Sequence, residues 1–130
     1  MNRFLLTTIR LVPDVVRGEF INVGIGLRSV RDTTCRVYVS DDLRKTKAKI
    51  WFPELDHEWL TYCLHGVQKS LEEVLAYEGL EKVHDEFNLL AERMIWSVFD
   101  CTPLEIVQGR GSFDEEFEFW KERMLDLEVQ

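Results

Sequence analysis

Cysteine is scarce in this chain. Cys35, Cys63 and Cys101 are the three, and no two of them form a C-x-x-C pair. An odd count at these spacings excludes a disulfide framework and the paired-cysteine zinc modules, and it points to reduced thiols that pack as small hydrophobes. Long apolar runs are missing too: nothing approaches the ~18 residues that a membrane span needs. The apolar stretch after Met1 meets Arg10 too soon for a secretory signal, so the expected compartment is the cytoplasm, with no membrane partner. Repeats, low-complexity tracts and linkers are absent, and 130 residues read as a single domain, 1–130.

Two motifs fail for want of one residue each. His57-Glu58 begins like H-E-x-x-H, but Thr61 stands where the second histidine belongs. His57 is then read as a surface residue in the first turn of a helix, and His65 and His84 are isolated. Gly24-Ile25-Gly26 lacks the third glycine of a dinucleotide loop, since Ser29 ends the pattern, and it lies inside a strand. No metal site and no cofactor is expected.

What is present is an ordinary globular composition, 45% hydrophobic and 31% charged, with Trp51, Trp59, Trp96 and Trp120 spread along it. A chain of this length buries about two-thirds of its unfolded surface and needs no staple. The net charge of -8 is unevenly placed. Residues 1–52 carry ten Lys or Arg against five Asp or Glu, and the remainder carries six against nineteen. The basic part suits phosphate or an acidic partner, and the acidic part repels nucleic acid.

The pattern along the chain predicts an α+β fold. Residues 3–12 are rich in strand formers, with Leu5, Thr7, Ile9 and Leu11 on one face, before Pro13-Asp14 breaks the run. In residues 20–29 Ile21, Val23, Ile25 and Leu27 alternate with Phe20, Asn22, Gly24 and Gly26. Arg31-Asp32-Thr33-Thr34 is a turn, and residues 35–39 form a third strand. This is an antiparallel β-meander of about three strands. A helical middle follows. Asp41 or Asp42 caps a short helix over 43–51, closed by Pro53, and Asp56 caps a longer one with a stripe at Leu60, Cys63, Leu64, Val67, Leu71, Val74 and Leu75. Gly79 stops or bends it, and Leu80, Val83, Phe87, Leu90, Ala91 and Met94 continue the helical pattern. Residues 95–99 and 104–107 are short β-like runs around Thr102-Pro103. Ser112 and Glu115 form a capping box before an amphipathic C-terminal helix bearing Phe113, Phe117, Trp120, Met124 and Leu127. The helices are expected to cover one face of the sheet.

Residues 10–27 are the densest stretch: Val12-Pro13-Asp14, Arg17-Gly18-Glu19-Phe20 and Asn22-Val23-Gly24 in close succession. Gly18 suits a positive φ at a sharp turn. Arg17 offers a planar fork for Asp14 or Glu19, Arg10 is a second cation to neutralise them, and Asn22 can bond backbone left open by the turn. The stretch closely resembles the signature of a bacterial and phage family, Domain of Unknown Function 3037. Trp51-Phe52-Pro53-Glu54-Leu55-Asp56 and the acidic C-terminal helix are similar in placement, while Gly26 stands where an apolar residue is more usual. The resemblance implies a fold type and, because members are often encoded beside a kinase-like protein of the HipA class, a companion or regulator role, in toxin–antitoxin systems or in phage–host conflict.

Arg10, Asp14, Arg17, Glu19 and Asn22 are therefore the candidate binding residues. Either they build a hydrogen-bonded corner, or they border a bare strip at Asn22, Gly24 and Gly26 that another chain or a flat ligand can approach closely. Three functions follow. The first is an accessory protein that binds another protein. The second is a nucleic-acid accessory protein using Arg28, Arg31, Arg36, Arg44, Lys45, Lys47 and Lys49 as a phosphate strip. The third is a small metal-dependent hydrolase or nuclease at Asp14 and Glu19. The first is preferred, and no catalytic residue is assigned.

Overall fold

A computed structural model describes residues 1–14 and 17–125, with the backbone alone for Asp14 and Trp96. Strands β1 (Asn2–Asp14), β2 (Glu19–Ser29) and β3 (Cys35–Val39) form the expected antiparallel meander. The turn between β2 and β3 closes on Asp32, whose carboxylate accepts the Thr34 amide at 2.9 Å; that bond lowers the Asp32 pKa. A 3-10 turn, Leu43–Lys45, leads into α1 (Lys47–Trp51). Where one short helix was expected over 43–51, Thr46 divides it. Its hydroxyl donates to the Leu43 carbonyl at 2.8 Å and accepts the Ala48 amide at 3.2 Å.

Helix α2 (His57–Leu75) starts at the predicted cap, with the Trp59 amide donating to Asp56 at 3.1 Å. Gly79, at φ 86°, separates it from α3 (Leu80–Arg93). A 3-10 turn at Met94–Trp96 replaces the β-like run expected from residue 95. The strands here are β4 (Phe99–Cys101) and β5 (Glu105–Gly109), and α4 (Phe113–Met124) follows with its capping box formed by Ser112 and Glu115. Leu127 lies outside the described residues.

The sheet order is β3-β2-β1-β4, with β5 also on β1. β4 pairs with Ile9, Arg10 and Leu11, and β5 pairs with residues 2–6, so the two share one edge of β1 as a single strand interrupted at Pro103. The interruption is stitched by threonines. Thr102 donates its amide to the Thr8 carbonyl at 2.9 Å and accepts the Thr8 amide on its hydroxyl at 2.8 Å. The Thr7 hydroxyl donates to the Thr102 carbonyl at 2.6 Å. Buried polar groups need such partners, and Thr7 and Thr8 are both buried.

Helices cover both faces of the sheet, not one. Leu5, Ile9, Leu11, Ile21, Val23, Val37 and Val39 pack with Leu64, Leu71 and Leu75 of α2 and Val83, Phe87 and Leu90 of α3. Phe4, Leu6, Ile25 and Leu27 pack with Phe117 of α4, flanked by Phe113, Trp120 and Met124. A bulge makes this possible. Ile9 pairs with Gly24 and Arg10 with Asn22, which leaves Val23 as an extra residue on β2. An extra residue reverses the alternation. Ile21 and Val23 therefore face α2, and Ile25 and Leu27 face α4, although strict alternation puts all four on one side.

The reversal also turns Gly24 and Gly26 to the face that α2 covers, Gly26 against the helix itself and Gly24 against Val39 and Ile9. A Cβ on Gly26 would sit 2.9 Å from Leu71 Cδ2 and 3.0 Å from Leu75 Cδ1. The bare strip is thus filled by the protein itself, by α2 over Gly26 and by Val39 and Ile9 beside Gly24, and Asn22 points to the opposite face. Leu71 and Leu75 are fully buried there, each contributing about 1.5–3 kcal/mol of transfer free energy. Arg28 completes the seat. It is buried, and its Nη1 donates to the carbonyls of Leu75 at 2.5 Å and Tyr77 at 2.7 Å, which gives the C-terminal end of α2 a cation.

On this account Gly24→Ala is the more damaging of two small changes. Its Cβ would meet the Tyr38 backbone oxygen at 2.6 Å, whereas Gly26→Ala meets the mobile ends of two leucines. Urea denaturation should show losses of about 1–3 kcal/mol for Gly26→Ala and a larger loss for Gly24→Ala. Unchanged stability of Gly26→Ala would contradict the close seat of α2, and unchanged stability of Gly24→Ala the close approach of β3 to Gly24.

Candidate functional site

The densest stretch of the sequence forms the β1–β2 hairpin. Gly18 takes φ 69° in the turn, as its place after Arg17 predicts. Asp14 and Glu19 are backbone partners at the mouth of the turn; the Asp14 side chain lies outside the described residues. Arg17 Nη1 is 4.0 Å from Glu19 Oε1, and both side chains are exposed. Such a pair contributes little to stability.

Among the described residues, the side-chain hydrogen-bond partner of Arg10 lies away from this turn. Arg10 lies between Asn22 on β2 and Asp100 on β4, and its guanidinium grips the Asp100 carboxylate through Nε and Nη2, each at 2.7 Å. The hydrogen bonds to Asp100 raise the Arg10 pKa further above its usual value. The same guanidinium lies 4.8 Å from the centroid of the Phe20 ring. Asn22 donates to the Met124 carbonyl at 2.9 Å, satisfying a carbonyl in the last turn of α4. The four candidate residues with described side chains thus divide. Arg10 and Asn22 tie the hairpin to β4 and α4, while Arg17 and Glu19 stand at its exposed tip.

Beside that tip is an open groove of about 420 Å³, lined among the described residues by Gly18, Glu19, Phe20, Trp51 and Phe52. Phe20 is 46% exposed and Trp51 58%. Trp51 ends α1 and comes to the hairpin from 31 positions further along the chain, a neighbour that no local pattern announces. Phe52 is buried, and its carbonyl accepts from His57 Nε2 at 2.7 Å. His57 is therefore a buried strut at the start of α2, not a surface residue, because the Phe52-Pro53 turn brings that carbonyl back over the helix.

The basic residues do not make one strip. Arg28 is buried under α2. Arg36 pairs with Asp114 at 2.7 Å and lies 5.0 Å from the Phe117 ring centroid, on the α4 side. Arg44 is held by Asp42 at 3.0 Å. The thiols are all free. Burial pushes the Cys101 pKa up to about 12, so this thiol stays protonated and unreactive near neutrality. Among the described residues no three His, Cys, Asp or Glu side chains gather as a metal-ligand set. No helix among them is long and apolar enough to cross a membrane.

A family described as protein of unknown function (DUF3037) has a model that matches residues 6–97. The chain belongs to this family. The DUF3037 match runs from β1 to the 3-10 turn after α3 and contains the hairpin, Trp51 and the whole of α2. No curated protein and no solved structure matches.

Asp100→Asn separates a structural role for the Arg10 grip from a functional one. The pair is partly exposed, so its loss should cost on the order of 1 kcal/mol in thermal or urea unfolding, less at 1 M salt. An unchanged melting curve would contradict the reading that Arg10 and Asp100 brace the hairpin.

Proposed function

We propose that this protein acts by binding another protein, and that the tip of the β1–β2 hairpin together with Trp51 is the contact surface. The observation that carries the reading is the groove that Phe20 and Trp51, both exposed, line together. Large aromatic side chains dominate the energetics of protein interfaces, and apolar surface gathered at one place marks such sites. The groove is also pre-organised. Phe20 rests on Arg10, and Arg10 is fixed by two hydrogen bonds to Asp100, so the Phe20 wall has little side-chain freedom left to lose on association. Arg17 and Glu19 supply a charged rim of both signs.

The role that fits is that of an accessory or regulatory protein, soluble in the cytoplasm and working through a larger partner. The partner suggested by the family resemblance is a kinase-like protein of the HipA class.

Affinity capture of the tagged protein from its native cells, at moderate and high salt, tests the reading. One stoichiometric protein should survive high salt with the parent and be lost with Phe20→Ala/Trp51→Ala, whose melting temperature stays within a few degrees of the parent. Retention of nothing, or of salt-labile nucleic acid alone, would contradict it.

A further inference from the structure

A second aromatic surface opens at the start of α2. Trp59 and Tyr62 stack with ring centroids 5.5 Å apart and planes 19° apart. They are 59% and 72% exposed, so this stacking is not a core contact. With Asp56 and Glu58 they line a shallow hollow of about 480 Å³. Both residues fall off the apolar stripe of α2, on the helix's polar side, which is where a purely structural helix carries charged or polar residues.

We infer that this hollow seats a cationic side chain, Arg or Lys, presented by a protein partner. Two exposed aromatic faces attract a cation through their quadrupoles. Two carboxylates among the lining residues add charge of the matching sign, and among the described residues no Lys or Arg lines it. The same carboxylates disfavour the phosphates of a nucleic acid, which otherwise also stacks on paired aromatics. One cation of the chain itself, Arg44, has Nη1 3.9 Å from Glu58, but its hydrogen bonds go to Asp42 through Nε at 3.0 Å and Nη2 at 3.0 Å. Glu58 is left 83% exposed. A guanidinium already approaches this carboxylate, and a second from a partner finds the rings beside it.

The inference rests on the protein-binding reading but names a separate surface and the chemistry it takes. Its test therefore uses a defined probe and not the unidentified partner. A 15N-labelled sample is titrated with a short peptide alternating glycine and arginine, and separately with the same peptide carrying citrulline, the neutral isostere. The Trp59 indole signal, assigned by its absence in Trp59→Phe, is followed. The arginine peptide should shift it saturably and the citrulline peptide should not. Glu58→Gln, Asp56→Asn and Tyr62→Leu should each weaken binding roughly three- to fivefold. Asp56→Asn retains an oxygen that caps α2, so its effect reads charge and not unfolding.

A shift equal for both peptides, or none, would overturn the inference, as would a saturable shift produced by single-stranded oligothymidylate. Dependence of the same signal on protein concentration alone would overturn it in favour of a second copy. None of these results touches the hairpin groove, and loss of the captured partner in Phe20→Ala/Trp51→Ala leaves this hollow unaffected.

Discussion

Helix α2 can lie close on β2 only because Gly26 has no side chain where Leu71 and Leu75 reach the strand. Gly24 and Gly26 lie on the sheet face that α2 covers; a methyl group on Gly26 would intrude on Leu71 and Leu75 at 3.0 Å or less, and one on Gly24 on Tyr38 and Val39 of β3. The bulge at Val23 is what aims them that way. The same bulge sends Ile25 and Leu27 to the far face, where α4 covers them. One extra residue in one strand therefore allows helices on both sides of a small antiparallel sheet. Arg28 adds the final constraint by donating to carbonyls at the end of α2, a buried cation set where the helix dipole is negative.

The hairpin projects from this frame with its own bracing. Arg10 spans three strands, joined to Asp100 through its guanidinium and to Asn22 through the backbone ladder, and it supports Phe20 from below. The tip is held in place without being buried. That combination, a rigid support under exposed aromatic side chains, suits recognition by surface contact, because the groove need not rearrange to be filled. The aromatic pair on α2 has a comparable logic: a rigid helix presents Trp59 and Tyr62, with carboxylates beside them.

Much of the architecture was legible in the sequence because it depends on local physics. The three strands, the Asp56 cap, the Gly79 break and the Ser112–Glu115 box are all set by residues within a few positions of one another. The placing of α4 was not, since it depends on a phase reversal at Val23 that leaves the composition of β2 unchanged. The candidate site divides in the same way. Gly18 and the Arg17–Glu19 pair are local and were readable. Asp100, which Arg10 grips, lies 90 positions away, and Trp51 reaches the hairpin through the fold. Trp59 and Tyr62 did carry a readable signal, being aromatic residues off the apolar stripe of an amphipathic helix.

The most direct test of protein binding at the hairpin is hydrogen–deuterium exchange of the protein alone and with its captured partner bound. The account predicts slowed exchange in residues 17–21 and around Trp51 and Phe52, with the β2–β3 core unchanged. Slowing confined to β5 and α4, with the hairpin tip exchanging as freely as before, would contradict it.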